Sequence, residues 1–350
     1  MEPLPLHSIH EEEGAVFGDL NGREVVARGP SEPASVEAAR TGAVLLDASY
    51  REWIRVTGED RVSFLHGMVT NEVTKLPVGT ATYAAMLTPK GAMVADVRLL
   101  KREGDLLLDV EPGHGAKVRE FLEKFLISED AELHDETATH ALLTLGGPRA
   151  PELLAKLGLV APAQHEARAA TVAGVAVTLV GNDVVLAHGV DVISPSDGVE
   201  AVYRALKEAG AALGLLALGV EGFEVLRVEA GVPRYGADMD DKTIPLEANL
   251  ERAINYKKGC YIGQEVIARG TFRGHMNRKL MGLLLGGQVP AARTELFSGE
   301  KKVGWVTSVV RSEKRGQTIA LGYVHRDFLT PGTRLQLAGM GDAEVHPLPF

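Results

Sequence analysis

Hydrophobic positions along this chain switch repeatedly between a period of two and a period near 3.6. Trp53, Ile54 and Val56 form an extended segment that stops at Gly58. Val62, Leu65, Met68 and Val69 then follow helical spacing, with Asp60 placed to cap the start and Thr70-Asn71 to close the end. Two extended runs, Thr82 to Leu87 and Met93 to Leu100, flank Thr88-Pro89-Lys90-Gly91, and that turn chemistry predicts a hairpin. A strand over 106–110 precedes a helix over 116–126, whose Val118, Phe121, Leu122 and Phe125 share one face. Upstream, Ser31 to Arg40 reads as a short helix capped by Ser31, followed by a strand over 44–46. Strands over 141–145, 175–180 and 184–187 and helices over 151–157 and 199–209 continue the rhythm.

Several of these strands adjoin as hairpins, whereas a doubly wound parallel sheet needs a crossover after nearly every strand. The pattern therefore predicts α+β layers. After Met276 the texture is all strand: 279–285, 302–310, 318–324, 334–337 and 343–346, with turn residues between them. This predicts a small barrel domain. The expected organisation is a leading, partly flexible segment 1–30, an α+β region 31–275 and a C-terminal β-barrel 276–350.

Composition narrows the class. The 350 residues carry 37 Lys plus Arg against 47 Asp plus Glu, a formal charge of −10, and 45% are hydrophobic, as in a globular protein able to bury its own core. The longest uncharged runs, Leu76 to Pro89 and Ala169 to Asn182, span 14 residues each, short of the roughly 20 that a membrane helix needs. The chain opens on Glu2 and prolines with its first basic residue at Arg23, unlike a secretory signal. A cytoplasmic protein without a membrane segment is expected. The acidic balance argues against direct nucleic-acid binding.

Local chemistry departs from that balance. Between Arg252 and Lys279 stand seven bases (Arg252, Lys257, Lys258, Arg269, Arg273, Arg278, Lys279) and one acid, Glu265, a net of +6. The only cysteine, Cys260, lies inside this stretch. A lone thiol makes no internal disulfide and builds no structural zinc or iron-sulfur site by itself. No Walker loop and no Gly-x-Ser-x-Gly elbow occurs, and Gly113-His114-Gly115 reads as a turn before a helix, since Val118 stands where a dinucleotide loop needs glycine. His7 and His10, beside three glutamates, have the spacing of metal ligands but sit where a solvated terminus is expected.

The informative stretch is Val220 to Arg269. A helix there ends at Gly231 and carries Glu229 in its last turn, where a carboxylate opposes the helix dipole. Such a placement suits either an exposed acid or an acceptor for the amino and ring nitrogens of a heterocycle such as a pterin. Lys257-Lys258-Gly259-Cys260-Tyr261-Ile262-Gly263-Gln264-Glu265 then turns into a second helix. Adjacent lysines and the helix dipole would both favour the Cys260 thiolate, against the alternative of a buried structural cysteine.

Lys258-Gly259-Cys260-Tyr261-Ile262-Gly263-Gln264-Glu265 resembles the signature of the YgfZ family. Leu226-Arg227-Val228-Glu229-Ala230-Gly231, Tyr235-Gly236 and Pro245-Leu246-Glu247-Ala248-Asn249 resemble the folate-binding core of the wider glycine-cleavage T-protein superfamily. Asn71, the Thr88 to Val97 hairpin, Gly304-Trp305-Val306-Thr307-Ser308 and Ala320-Leu321-Gly322-Tyr323 also resemble segments of this superfamily. The resemblance implies a GcvT-like three-lobed folate-binding α+β fold with a C-terminal β-barrel. It further implies tetrahydrofolate or a one-carbon derivative as cofactor, and a supporting role in assembly or repair of 4Fe-4S enzymes, with an effect on tRNA modification. Transient 4Fe-4S client or assembly proteins would be its partners. On this basis Cys260 and Asp96 carry the chemistry, while Glu229, Asn71, Tyr235, Lys258, Gly259, Tyr261, Gly263, Gln264 and Glu265 surround the folate. Where the T-protein has two adjacent aspartates after the hairpin turn, this chain has Ala95-Asp96, which weakens the alternative of a folate-dependent aminomethyltransferase. A non-catalytic folate-binding module is the third reading.

Overall fold

The computed structural model describes residues 2–272, 274 and 276–350. The chain divides into two interleaved units. One comprises Met1–Gly67, Glu72–Ala84 and Val97–Phe223; the other comprises Met68–Asn71, Ala85–Asp96 and Glu224–Phe350.

In the first unit a sheet orders its described strands as Ala167–Val172, Val175–Gly181, Val190–Pro195, His140–Gly146, Val44–Asp47 and Leu216–Ala217. Helices Ala150–Lys156 and Val199–Ala211 supply Leu153, Val202 and Leu206 to the same core as Leu143, Leu145 and Val192. A second sheet runs Thr80–Leu87, Met93–Lys101, Leu106–Val110, Glu52–Thr57, Glu132–Asp135. All five residues of Leu106–Val110 are buried, the mark of a strand covered on both faces. The hairpin is present as expected, and its tip, Ala85 to Asp96, belongs to the second unit.

Local expectations fail in four informative places. The helix expected from Ser31 is Ala34–Thr41 with Pro33 at its N-cap, and Ser31 contributes only a backbone carbonyl to Ser35; proline, which lacks an N–H, takes the helix start instead. Asp60 does stand at the start of the Arg61–Met68 helix, its carbonyl accepting from Phe64 N–H, but its carboxylate accepts from the backbone N–H of Asp130 at 2.9 Å. The strand expected over 184–187 is a loop closed by Asn182 N–H to Gly189 O, and the strand is Val190–Pro195, which pairs on both edges. His7 and His10 do not lie in a solvated tail. Leu4, Leu6 and Ile9 are buried, and His10, 3% exposed, sets Nε2 2.8 Å from Asp47 while His7 Nδ1 meets Glu24 at 2.8 Å.

In the second unit the described strands close a barrel in the order Arg278–Gly286, Gln317–His325, Lys301–Ser312, Glu295–Ser298, Arg334–Leu337, Asp342–His346. Leu283, Leu285, Leu296, Val306, Val324 and Leu335 fill it. The short Glu295–Ser298 strand is absent from the hydrophobic pattern. It bridges Lys301–Ser312 and Arg334–Leu337 by backbone pairing, with only Leu296 fully buried.

Candidate functional site

The lysine-glycine-cysteine motif forms an irregular loop ahead of the Gln264–Phe272 helix. Gly263 has φ +82°, and a Cβ there would meet Thr88 O at 2.7 Å and Leu87 Cβ at 2.9 Å. Gly91, φ +76°, is equally tight against Val266 at 2.6 Å. Two glycines thus let the loop and the hairpin turn approach at backbone distance, which any larger residue would block. Lys258 is buried, and its ammonium donates to Val69 O at 2.6 Å and Asn71 O at 3.0 Å while lying 5.0 Å from the Tyr261 ring centroid. Burial, and then Tyr256, push the Tyr261 phenol up to about 12.

Cys260 is exposed, which removes the buried structural alternative. The expected helix dipole is four residues away, since the helix starts at Gln264. The expected help from Lys258 is also redirected, because that ammonium is held by two carbonyls. Glu265 is on the surface, in an i,i+4 pair with Arg269. The +6 stretch does not form one free basic face. Arg269 is paired, Arg278 donates to Glu247 at 2.9 Å, Lys258 is buried, and Arg252 and Lys257 are exposed. Arg273 lies outside the described residues.

Asp96, 9% exposed, stands on the Met93–Lys101 strand. Tyr235 is 2% exposed, and its phenol is pushed upward by burial first and then by Asp241, Asp240 and Asp96, so it stays protonated as a donor. The structure therefore brings Asp96 and Tyr235 into electrostatic reach, and Lys258, Asn71 and Tyr261 into contact. Glu229 takes another course. It is 7% exposed, not a surface acid, and it accepts a hydrogen bond from Ser312 Oγ at 2.6 Å while its carbonyl accepts from Phe350 N–H at 2.9 Å. These contacts fasten the helix end to the barrel and give Oε1 one donor from the protein itself.

The sequence reading overlooked the charge centre of this unit. Arg227 is 2% exposed and donates to Glu224, Val232 O, Asp238 and Ser308; Thr307 Oγ1 also donates to Asp238. The available signal was Thr307-Ser308, two hydroxyls side by side between Trp305-Val306 and Val309-Val310.

Comparison with known proteins matches residues 6–258 to the GCVT N-terminal domain and residues 278–350 to the glycine cleavage T-protein C-terminal barrel domain. A protein named aminomethyltransferase from Saccharopolyspora erythraea is 31% identical, covering 99% of this chain and 97% of its own length. One of the same name from Pelodictyon phaeoclathratiforme is 30% identical over 100% and 98%. The solved glycine cleavage system aminomethyltransferase T from Bartonella henselae shares the fold, with a TM-score of 0.89 over 99% of this chain and 97% of that one at 24% identity.

Proposed function

Because the chain belongs to the glycine cleavage T-protein family, we propose that it binds tetrahydrofolate and transfers a one-carbon unit from an amine-bearing donor, as a folate-dependent aminomethyltransferase. One observation carries this reading: the end-to-end match, at 30 and 31% identity, to proteins of that name. The donor set fits the cofactor. A buried carboxylate at Asp96 accepts N–H groups, and a protonated Tyr235 beside it donates. Tetrahydrofolate, when bound, supplies the nitrogen that accepts the one-carbon unit. Asp96 orients that ring and takes up a proton at its carboxylate; the single carboxylate of Ala95-Asp96 does this alone. The test is one-carbon transfer from an aminomethyl-bearing lipoyl carrier or a small amine. Asp96→Asn is expected to lower kcat by about 100-fold, a general acid-base effect, while Cys260→Ser keeps it. Transfer that survives Asp96→Asn sinks the proposal.

A second reading is favoured by the exposed Cys260 on a loop clamped by Lys258 and Gly263. In it the chain is a tetrahydrofolate-binding accessory of the YgfZ type for assembly or repair of 4Fe-4S enzymes, with effects on tRNA modification. One thiolate holds no cluster alone, so the client supplies the other ligands. The check is 4Fe-4S enzyme activity in cells lacking the protein. Rescue by wild type but not by Cys260→Ser supports it, and equal rescue by both rejects it.

A further inference from the structure

A cavity of about 320 Å³ opens in the barrel-containing unit, among Asp238, Asp240, Lys242 and Thr243 on one side and Arg278, Arg293, Trp305 and Tyr323 on the other. None of the residues singled out above for folate or thiol chemistry lines it. Its size stands at the small end of ligand sites, which run from roughly 300 Å³.

Two hydrogen-bond donors of its lining residues, Arg278 Nε and Trp305 Nε1, are shielded from bulk solvent and meet no protein partner, and the Tyr323 hydroxyl beside them has only Thr243. Orphaned buried donors are costly and rare, so two in one place ask for an explanation. They form one cluster. The Arg278 guanidinium carbon lies 4.8 Å from the Trp305 ring centroid and 5.2 Å from that of Tyr323, and the two rings are 5.1 Å apart. The charges around them are mostly spent: Arg293 on Asp240 at 3.0 Å, Arg278 on Glu247 at 2.9 Å, Lys302 on Glu295, and Asp238 on Arg227 at 2.7 Å. Among the described lining residues Lys242 is the cation with no ion pair.

We propose that this cavity is a binding site for a small monocarboxylate. The two orphaned groups are N–H donors and the Tyr323 hydroxyl lies beside them, so the ligand must bring acceptors. One uncompensated ammonium matches one negative charge, whereas a phosphate dianion would exceed it. Trp305 and Tyr323 offer aromatic surface to a short hydrocarbon body.

The chain has two tryptophans, so Trp53→Phe leaves Trp305 as the sole indole reporter. Butyrate, phosphate and chloride are titrated at equal ionic strength, following Trp305 emission; calorimetry of the unmodified full chain reads the same binding without relying on Trp53→Phe. A saturable response to butyrate is expected, weakened about tenfold by Tyr323→Phe, which removes only the hydroxyl and keeps the ring. A response no different from chloride, a butyrate affinity unchanged by Tyr323→Phe, or tighter binding of phosphate than of butyrate would each overturn the assignment.

Discussion

Arg227 in the barrel unit and Arg98 in the other unit both carry a buried charge met by carboxylates, but they are built on different plans. Arg227 donates from all three guanidinium nitrogens: to Glu224 on its own helix, to Asp238 and Val232 O in the following loop, and to Ser308 on a barrel strand. Arg98 has a side chain 27% exposed, shares Asp109 with Arg51, and takes Asp191, which also accepts from Thr144 at 2.6 Å and Asn182 at 2.9 Å. Burial lowers both guanidinium pKa values, and the neighbouring acids more than reverse it: Asp238 then Glu224 for Arg227, Asp109 then Asp191 for Arg98. One centre is a closed staple between helix, loop and strand, whereas the other is a chain of shared charges. The staple concentrates its contacts on one acid, since Asp238 accepts from Arg227, Thr307 and Ser308 together.

That difference sets the order of expected losses. Asp238→Ala leaves Arg227 its Glu224 carboxylate but removes the fully buried acceptor that it shares with Thr307 and Ser308, and should cost about 3–5 kcal/mol, as breaking buried pairs does. Asp191→Ala leaves Arg98 its second acid and some water, and should cost about 1–3 kcal/mol. Thermal unfolding of the two variants measures both, and equal losses would break the comparison.

Acid should find the staple as well. Burial alone would raise the Glu224 carboxyl, but the charge and hydrogen bond of Arg227, followed by those of Arg234, hold it below its ordinary 4.5. A carboxylate depressed in the folded state contributes stability that is complete above pH 4.5 and lost as pH falls through its native value. Trp305 fluorescence should therefore report a loss of stability below pH 4.5 that is blunted in Glu224→Gln. An acid limb identical in both would mean that other carboxylates carry it.

How much of this was legible follows from what each residue's neighbours are. The hairpin, the barrel strands 279–285 and 318–324 and the end of the Glu229 helix rest on patterns of neighbouring residues, and local rules reach them. The Arg227 centre joins residues 11 and 81 positions apart, so no window of sequence holds it. Glu229 illustrates the limit from the other side. Its awkward position at a helix C-terminus was visible, but the partner that explains it, Ser312, is 83 residues away. The His7 and His10 pairings, with Glu24 and Asp47, were hidden for the same reason: the apolar residues that bury this segment, Leu4, Leu6 and Ile9, are too few to make a periodic signal.

Within the motif loop a smaller contrast repeats the larger one. Lys258 is buried with its ammonium on two backbone carbonyls, and Cys260, two residues on, is exposed. Lys258→Met keeps the stem but strands Val69 O and Asn71 O, and should cost about 1–2 kcal/mol. Cys260→Ser exchanges an exposed thiol for a hydroxyl and should stay within about 0.5 kcal/mol of wild type. Alkylation sharpens the point. An exposed thiol should react in the native chain without prior unfolding, at a rate that rises when Lys258→Met loosens the loop. If native Cys260 reacted only under conditions that unfold the barrel unit, the thiol would belong to the closed part of the molecule, and its use toward any partner would fall with it.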